Sequence, residues 1–238
     1  MACDREMFMA ERKYKMLRGF VILNLAVLLL QAGPGLANDD LSSILDRIQE
    51  KYGRLPGLSM TYTREVITRT MSMLGNQVKG DLAEGQIFFK PPYFLRLEQK
   101  TPKRETLIAD GETLWWYIHD KRLAHKYPFE EFGKELKLLS DIFRGLSEME
   151  KSFQVTVLEH RERSAYEIEL RPDPTWQEID RIVLTVTCES DIQVVDIHNQ
   201  LGGITRFRLY GLTSKENFEK GFFQFHLPEG VELVEEEG

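Results

Sequence analysis

The strongest constraint on the fold is a long series of short β-type segments that begins near Ser59 and continues almost to the C-terminus. Each segment has about 5 to 10 residues, is rich in Thr, Val, Ile, Phe and Tyr, and is bounded by Gly, Pro, Asp or Asn. Consecutive strands joined by tight turns pair antiparallel, because parallel pairing needs long crossover connections. The sequence therefore predicts a mainly β fold with an antiparallel sheet of about 11 strands. The predicted segments are 59–71, 80–89, 93–100, 105–109, 113–118, 122–127, 153–159, 164–171, 180–188, 192–198, 204–210 and 222–227.

Two segments, 40–53 and 134–146, place their apolar residues at helical spacing instead. A sheet as wide as the predicted one tends to roll up, because the twist between neighbouring strands accumulates. Two short helices with apolar stripes need a surface to cover, and the concave side of a rolled sheet provides one. These features predict a curled antiparallel sheet whose concave side is covered by two short amphipathic α-helices.

Several predicted strands are apolar on both faces, for example 86–89 and 114–118. A sheet with one solvated face would alternate apolar and polar residues. Two explanations remain open at this point. One face lines a concavity filled by lipid, or the second face packs under a loop or helix.

The N-terminus has the features of an export signal. Basic residues, among them Arg12 and Lys13, precede an apolar run over 20–30 and then the small residues around Ala37. We therefore interpret residues 1–37 as a signal peptide, the alternative being a permanent N-terminal anchor, and residues 38–238 as a single domain. The formal net charge of −7 argues against nucleic acid and anionic membrane as main partners.

No catalytic constellation can be recognised in the sequence. A nucleophile elbow, a glycine-rich phosphate loop and the common zinc-binding motifs are all missing. His119 and His125 could face each other across a turn, and we interpret them as a surface pair rather than a metal site. Cys188 ends an apolar strand, which favours a buried, inert thiol. The sequence thus predicts a protein that is not an enzyme and that has no metal and no cofactor.

One ordered set of motifs goes beyond periodicity. A glycine-led strand, a Lys-Pro turn and a strand that ends in a charged residue are followed by an Asp-Gly hairpin with the aromatic residues Trp115, Trp116 and Tyr117. This order resembles the outer-membrane lipoprotein carrier family LolA. The residues that carry the resemblance are Gly85–Glu98, Thr101-Pro102, Ile108–Tyr117, Gly203–Phe207, Asn217 and Phe223–Val231.

The resemblance implies an unclosed antiparallel β-barrel with short α-helices that form a lid over its concave side. It also implies a monomeric periplasmic carrier without catalysis or cofactor, whose cavity holds the acyl chains of lipoproteins. Its implied partners are acylated lipoproteins, an inner-membrane ABC transporter and an outer-membrane lipoprotein acceptor. The family typically has an arginine that closes the lid, and here Pro91 stands in that place. Lys90 and Arg96 are therefore the candidate latches. The alternative is a LolA-like periplasmic domain that binds other lipids or senses lipoprotein or envelope stress.

If the resemblance holds, the helices at 40–53 and 134–146 form the movable cover. Large apolar residues on the predicted strands and on the second helix would then line the cavity, with an ordinary core role as the alternative. The candidate lipid-binding residues are Phe88, Phe94, Trp115, Tyr117, Phe129, Phe132, Leu136, Leu139, Ile142 and Phe143.

Overall fold

A computed structural model of the chain describes residues 41–73, 80–129, 134–146, 149–160 and 165–235. The predicted signal peptide lies outside the described residues. Within the described ranges, no helix has the length and apolar character needed to cross a membrane.

Twelve strands of the described chain form a single sheet in the order β12-β6-β5-β4-β3-β2-β1-β11-β10-β9-β8-β7. The sheet is unclosed, since β12 and β7 lie at its two ends. Neighbouring strands pair antiparallel, apart from β12, which pairs parallel with β6. The predicted mainly β, unclosed architecture is confirmed. The strands are β1 Leu58–Ile67, β2 Asp81–Lys90, β3 Phe94–Thr101, β4 Glu105–Ala109, β5 Thr113–Ile118, β6 Leu123–Pro128, β7 Phe153–His160, β8 Ala165–Pro172, β9 Ile179–Thr187, β10 Ile192–Asn199, β11 Ile204–Ser214 and β12 Glu232–Glu235.

The last strand is not where the sequence predicts it. Residues 222–227 form a turn and an irregular segment, and the final strand is Glu232–Glu235. The alternation of phenylalanines in 222–227 resembles a strand, but these side chains pack against the face of the sheet while the backbone does not join it. The prediction of a strand at 222–227 is therefore wrong.

The helices are α1 Leu41–Tyr52, the short α2 Arg69–Met73 and α3 Lys134–Phe143, with 3₁₀ turns at His119–Lys121 and Met149–Lys151. Both predicted amphipathic helices are thus present. α1 buries Ile44, Ile48 and Tyr52, which recur every four residues on one side of the helix. Beyond α3, the chain turns at Gly145, whose φ of 85° suits glycine at a helix end.

The core lies on one face of the sheet. In β2, Ala83, Gly85, Ile87 and Phe89 are buried, whereas the residues between them are exposed or half-buried. The ring of Phe89 lies 5.9 Å from the ring of Phe143 in α3, measured between centroids. We call the face that contacts α1 and α3 the inner face and the other the outer face, and we call α1 and α3 together the lid.

Gly85 lies where the backbones of β2 and β3 leave no space for a side chain. A Cβ at this position would collide with the carbonyl oxygen of Glu98 and lie 2.9 Å from the Cα of Gln99. We expect Gly85→Ala to lower the free energy of unfolding by about 1–3 kcal/mol, because the backbone must shift to relieve the overlap. Urea unfolding measures the change. Glu84→Ala, at the exposed neighbouring position, is the control, and equal stability of the two variants would contradict the expectation.

Candidate functional site

The sheet separates the candidate lipid-binding residues into two groups. Phe88, Phe94, Trp115 and Tyr117 all lie on the outer face, because the inward positions of their strands are taken by residues such as Phe89. The strand register agrees, since Phe88 is paired with Arg96 and Trp115 with Ile108 on the outer side. None of these four aromatics therefore lies on the face that α1 and α3 cover, and their role in lipid binding stays a prediction.

The outer aromatics are covered by the C-terminal part of the chain, residues 215–225, which we call the aromatic strap. The ring of Phe222 lies 5.1 Å from Phe88, measured between centroids. The ring of Phe223 lies 5.7 Å from Phe94, and that of Phe225 stacks on Trp115 at 4.9 Å. The strands that are apolar on both faces had two possible explanations: a concavity filled by lipid, or packing of the second face under a loop or helix. For the outer face the structure shows the second, because the aromatic strap packs over it.

Arg96, one of the two predicted latches, holds the strap. Its Nη1 donates a hydrogen bond of 2.8 Å to the carbonyl oxygen of Phe222, and its guanidinium lies 4.7 Å from the centroid of the Phe222 ring. Its Nε pairs with Glu98 at 2.8 Å. Lys90 is exposed and has the same outward register as Phe88. Neither position lies on the face that α1 and α3 cover, and a latch function of either residue stays a prediction.

The second group lies on the inner side, where the lid meets the sheet. Phe129 follows β6, and the other members belong to α3; all are buried. They form one cluster with the apolar residues of α1 and with inward residues of the strands. Phe132 lies outside the described residues. The members that the structure brings together are Phe129, Leu136, Leu139, Ile142 and Phe143.

A cleft of about 510 Å³ lies beside α3, between the end of β6 and the start of β7. Its volume is within the range of small-molecule sites, roughly 300–1,000 Å³. Apolar, polar and charged groups from distant parts of the chain line it, and Arg144 pairs with Asp141 at 3.5 Å. No sequence signal connects these positions, because only the folded sheet brings them together. The residues that the sequence did not indicate include Tyr93, Met149, Phe153 and Trp176.

The C-terminal end of α1 is attached to the turn between β9 and β10. The backbone N–H of Ile192 donates a 3.0 Å hydrogen bond to the hydroxyl of Tyr52. Burial raises the pKa of Tyr52 to about 12, so this hydroxyl stays protonated at neutral pH. Next to it, Lys51 Nζ pairs with Asp191 at 2.7 Å and donates to the carbonyl oxygen of Glu189 at 2.9 Å. α1 is therefore fastened to the sheet through polar as well as apolar contacts.

The structure places His119 and His125 on different faces. The Nε2 of His119 lies 2.9 Å from the hydroxyl of Thr106, and its ring is 4.2 Å from that of Tyr117 on the outer face. His125 stacks on Trp116 on the inner side of the hairpin. The expected facing pair is therefore wrong. Within the part of the chain that the structure describes, no group of three or more His, Cys, Asp or Glu side chains could hold a metal ion.

Cys188 is exposed, contrary to the expectation of a buried thiol. Strand β9 ends one residue earlier, at Thr187, so Cys188 lies in the turn that leads to β10. The apolar residues before Cys188 led to the prediction that its thiol is buried, but the strand ends one residue before Cys188.

The aromatic strap should contribute to stability through its buried ring. Phe223 is buried and its ring contacts those of Phe94, Phe218 and Phe222. We expect Phe223→Ala to lower the free energy of unfolding by about 3 kcal/mol, because the loss of a buried ring leaves a cavity. Gln224→Ala, at an exposed neighbour, is the control. Unfolding curves in urea that coincide for the two variants would show that the strap adds little to the fold.

Comparison with known proteins agrees with these features. The family model "Outer membrane lipoprotein carrier protein LolA" matches residues 73–226. An outer-membrane lipoprotein carrier protein of Nitrosospira multiformis is 24% identical over 156 residues, which cover 65% of this chain and 73% of that protein. Its counterpart in Azotobacter vinelandii is 23% identical over 237 residues, covering 92% of this chain and all of the relative.

Among solved structures, a LolA superfamily protein from Nitrosomonas europaea aligns with a TM-score of 0.43 and 12% identity, over 76% of this chain and 96% of its own. The family model covers well over half of the present sequence. The chain belongs to the LolA family of outer-membrane lipoprotein carrier proteins.

Proposed function

We propose that this protein is a monomeric periplasmic carrier that shelters the acyl chains of lipoproteins. In this proposal, residues 1–37 direct export and residues 38–238 form the carrier domain. The cargo comes from an ABC transporter of the inner membrane and passes to a lipoprotein acceptor of the outer membrane. The single observation that carries the proposal is the apolar lid on the inner face of an unclosed sheet. Membership in the carrier family supports it.

The lid gives a physical route for loading. Leu138, Leu139, Ile142 and Phe143 of α3 are at most 1% exposed, so they occupy the space that an acyl chain would need. Each such side chain contributes about 1.5–3 kcal/mol when it is removed from water, or on the order of 10 kcal/mol for four. An acyl chain of about 16 carbons gains on the order of 12 kcal/mol at about 0.8 kcal/mol for each CH₂.

For one acyl chain the two free energies are close, so a single chain can replace α3 on the inner face without a large net change. A carrier needs this balance, because cargo that gained much more than the lid lost would not be released.

The proposal predicts that cargo contacts the inner face and not the outer one. We would replace Phe143 with the photoreactive residue benzoylphenylalanine and, in a matched control, replace Phe94 on the outer face in the same way. Illumination in the presence of a purified triacylated lipoprotein should crosslink the acyl chains at position 143 and leave position 94 unreacted. Mass spectrometry of the digested adducts identifies the crosslinked group.

A lipoprotein without acyl chains is the second control, and it should give no adduct. Equal crosslinking at the two positions would contradict an inner-face site. Crosslinking of phospholipid but not of lipoprotein at position 143 would instead favour a domain that binds other lipids.

A further inference from the structure

The two helices of the lid are joined where their C-terminal ends meet. With the Gln49 side-chain amide in the orientation that satisfies both of its ends, its nitrogen donates hydrogen bonds to the carbonyl oxygens of Arg144, at 3.1 Å, and Gly145, at 2.8 Å. The opposite orientation would direct the amide oxygen at two carbonyl oxygens, which repel it. Gln49 belongs to α1, and the two carbonyls belong to the end of α3.

These carbonyls need a partner from outside their own helix. The end of α3 folds back on itself, as the N–H of Leu146 donates to the carbonyl of Asp141 and that of Gly145 to Ile142. This is the Schellman pattern, which uses earlier carbonyls of the helix and leaves the last ones for other donors. Gln49 supplies that donor.

The backbone of α3 is shaped for this contact. A Cβ on Gly145 would lie 2.9 Å from the Cα of Gln49, so any other residue would push the two helices apart. Gly145 also has a φ of 85°, which disfavours a side chain. The close approach and the hydrogen bonds thus occur at the same point.

The two helices are not attached to the sheet in the same way. α1 is held to the turn between β9 and β10 by the hydroxyl of Tyr52 and by the ion pair of Lys51 with Asp191. α3 contributes the large apolar residues that an acyl chain would have to replace. The bonds of Gln49 therefore connect α3, whose buried side chains an acyl chain would replace in the proposed function, to α1, which polar contacts fasten to the turn between β9 and β10.

We infer that Gln49 is the latch of the lid: its amide holds the C-terminal end of α3 to α1, and α3 separates from the inner face when these two hydrogen bonds break. The identity of the ligand in this inference rests on the proposed function, but the latch itself does not.

The test uses Gln49→Glu, which keeps the shape of the side chain and places a carboxylate against the two carbonyls. Gln49→Met removes the donor without adding charge. Glu50→Gln is the control, because Glu50 is the next residue of α1 and forms an exposed pair with Arg54. Hydrogen–deuterium exchange of the purified protein is followed in peptides that cover α3 and, for comparison, β9 and β10.

We expect amide exchange in α3 to become roughly tenfold faster in Gln49→Met and faster still in Gln49→Glu, since a buried group loses its hydrogen-bond partner. Exchange in β9 and β10 should stay as in the wild type, and Glu50→Gln should change neither. The carboxylate introduced by Gln49→Glu becomes a donor again when it is protonated, so the excess exchange of this variant over the wild type should decline from about pH 7 to about pH 5.

Exchange in α3 within twofold of the wild type in both Gln49 variants would overturn the inference. Faster exchange in all peptides together would also overturn it, because Gln49 would then be an ordinary stabilising residue. Binding of a triacylated lipoprotein is measured with the same samples. Faster α3 exchange without any lipoprotein binding would support the latch and refute the proposed carrier function.

Discussion

The apolar inner face of an unclosed sheet has to be covered, and the rest of the structure depends on how this is done. A closed barrel would cover the face with its own opposite wall, but here β12 and β7 stay apart at the two ends of the sheet. The cover consists of α1 and α3, whose apolar residues form one cluster with Phe89 and the other inward residues of the strands. Helices can leave a face without breaking any strand pairing, so exchange of this cover for another apolar body would cost no hydrogen bonds between strands.

The outer face is apolar as well, and its cover differs in kind. The aromatic strap lies over Phe88 and Trp115, is anchored by the hydrogen bond from Arg96, and leads into β12, which joins the edge of the sheet through backbone pairing with β6. Removing the strap would expose large aromatic rings and would strain the attachment of an edge strand. The outer cover is thus continuous with a strand of the sheet, whereas the inner cover of α1 and α3 adds no strand to it.

Sequence patterns predicted the positions of the helices and strands better than they predicted which face of the sheet each side chain lies on. The period of two identified most strands, and the helical period located α1 and α3, because each pattern reflects one buried side of its own element. The same reasoning could not assign Trp115 and Trp116 to their faces, since both faces of β5 are covered and the alternation of apolar and polar residues is lost. The strap was predicted as a strand for a related reason, as its phenylalanines contact the sheet through side chains alone. The contact of Gln49 with Gly145 depends on how two distant helices meet, which no local pattern records.

On the inner face, the effect of a single polar contact on lid opening depends on the difference between two large burial free energies. The free energy that α3 gains by burial and the free energy that an acyl chain would gain are each on the order of 10 kcal/mol, so their difference is small compared with either. An equilibrium between two such states shifts tenfold for about 1.4 kcal/mol. One or two buried hydrogen bonds are of this size. Two hydrogen bonds like those of Gln49 are therefore large enough to change the ratio of open to closed lid about tenfold, although the apolar contacts of α3 are much larger in total.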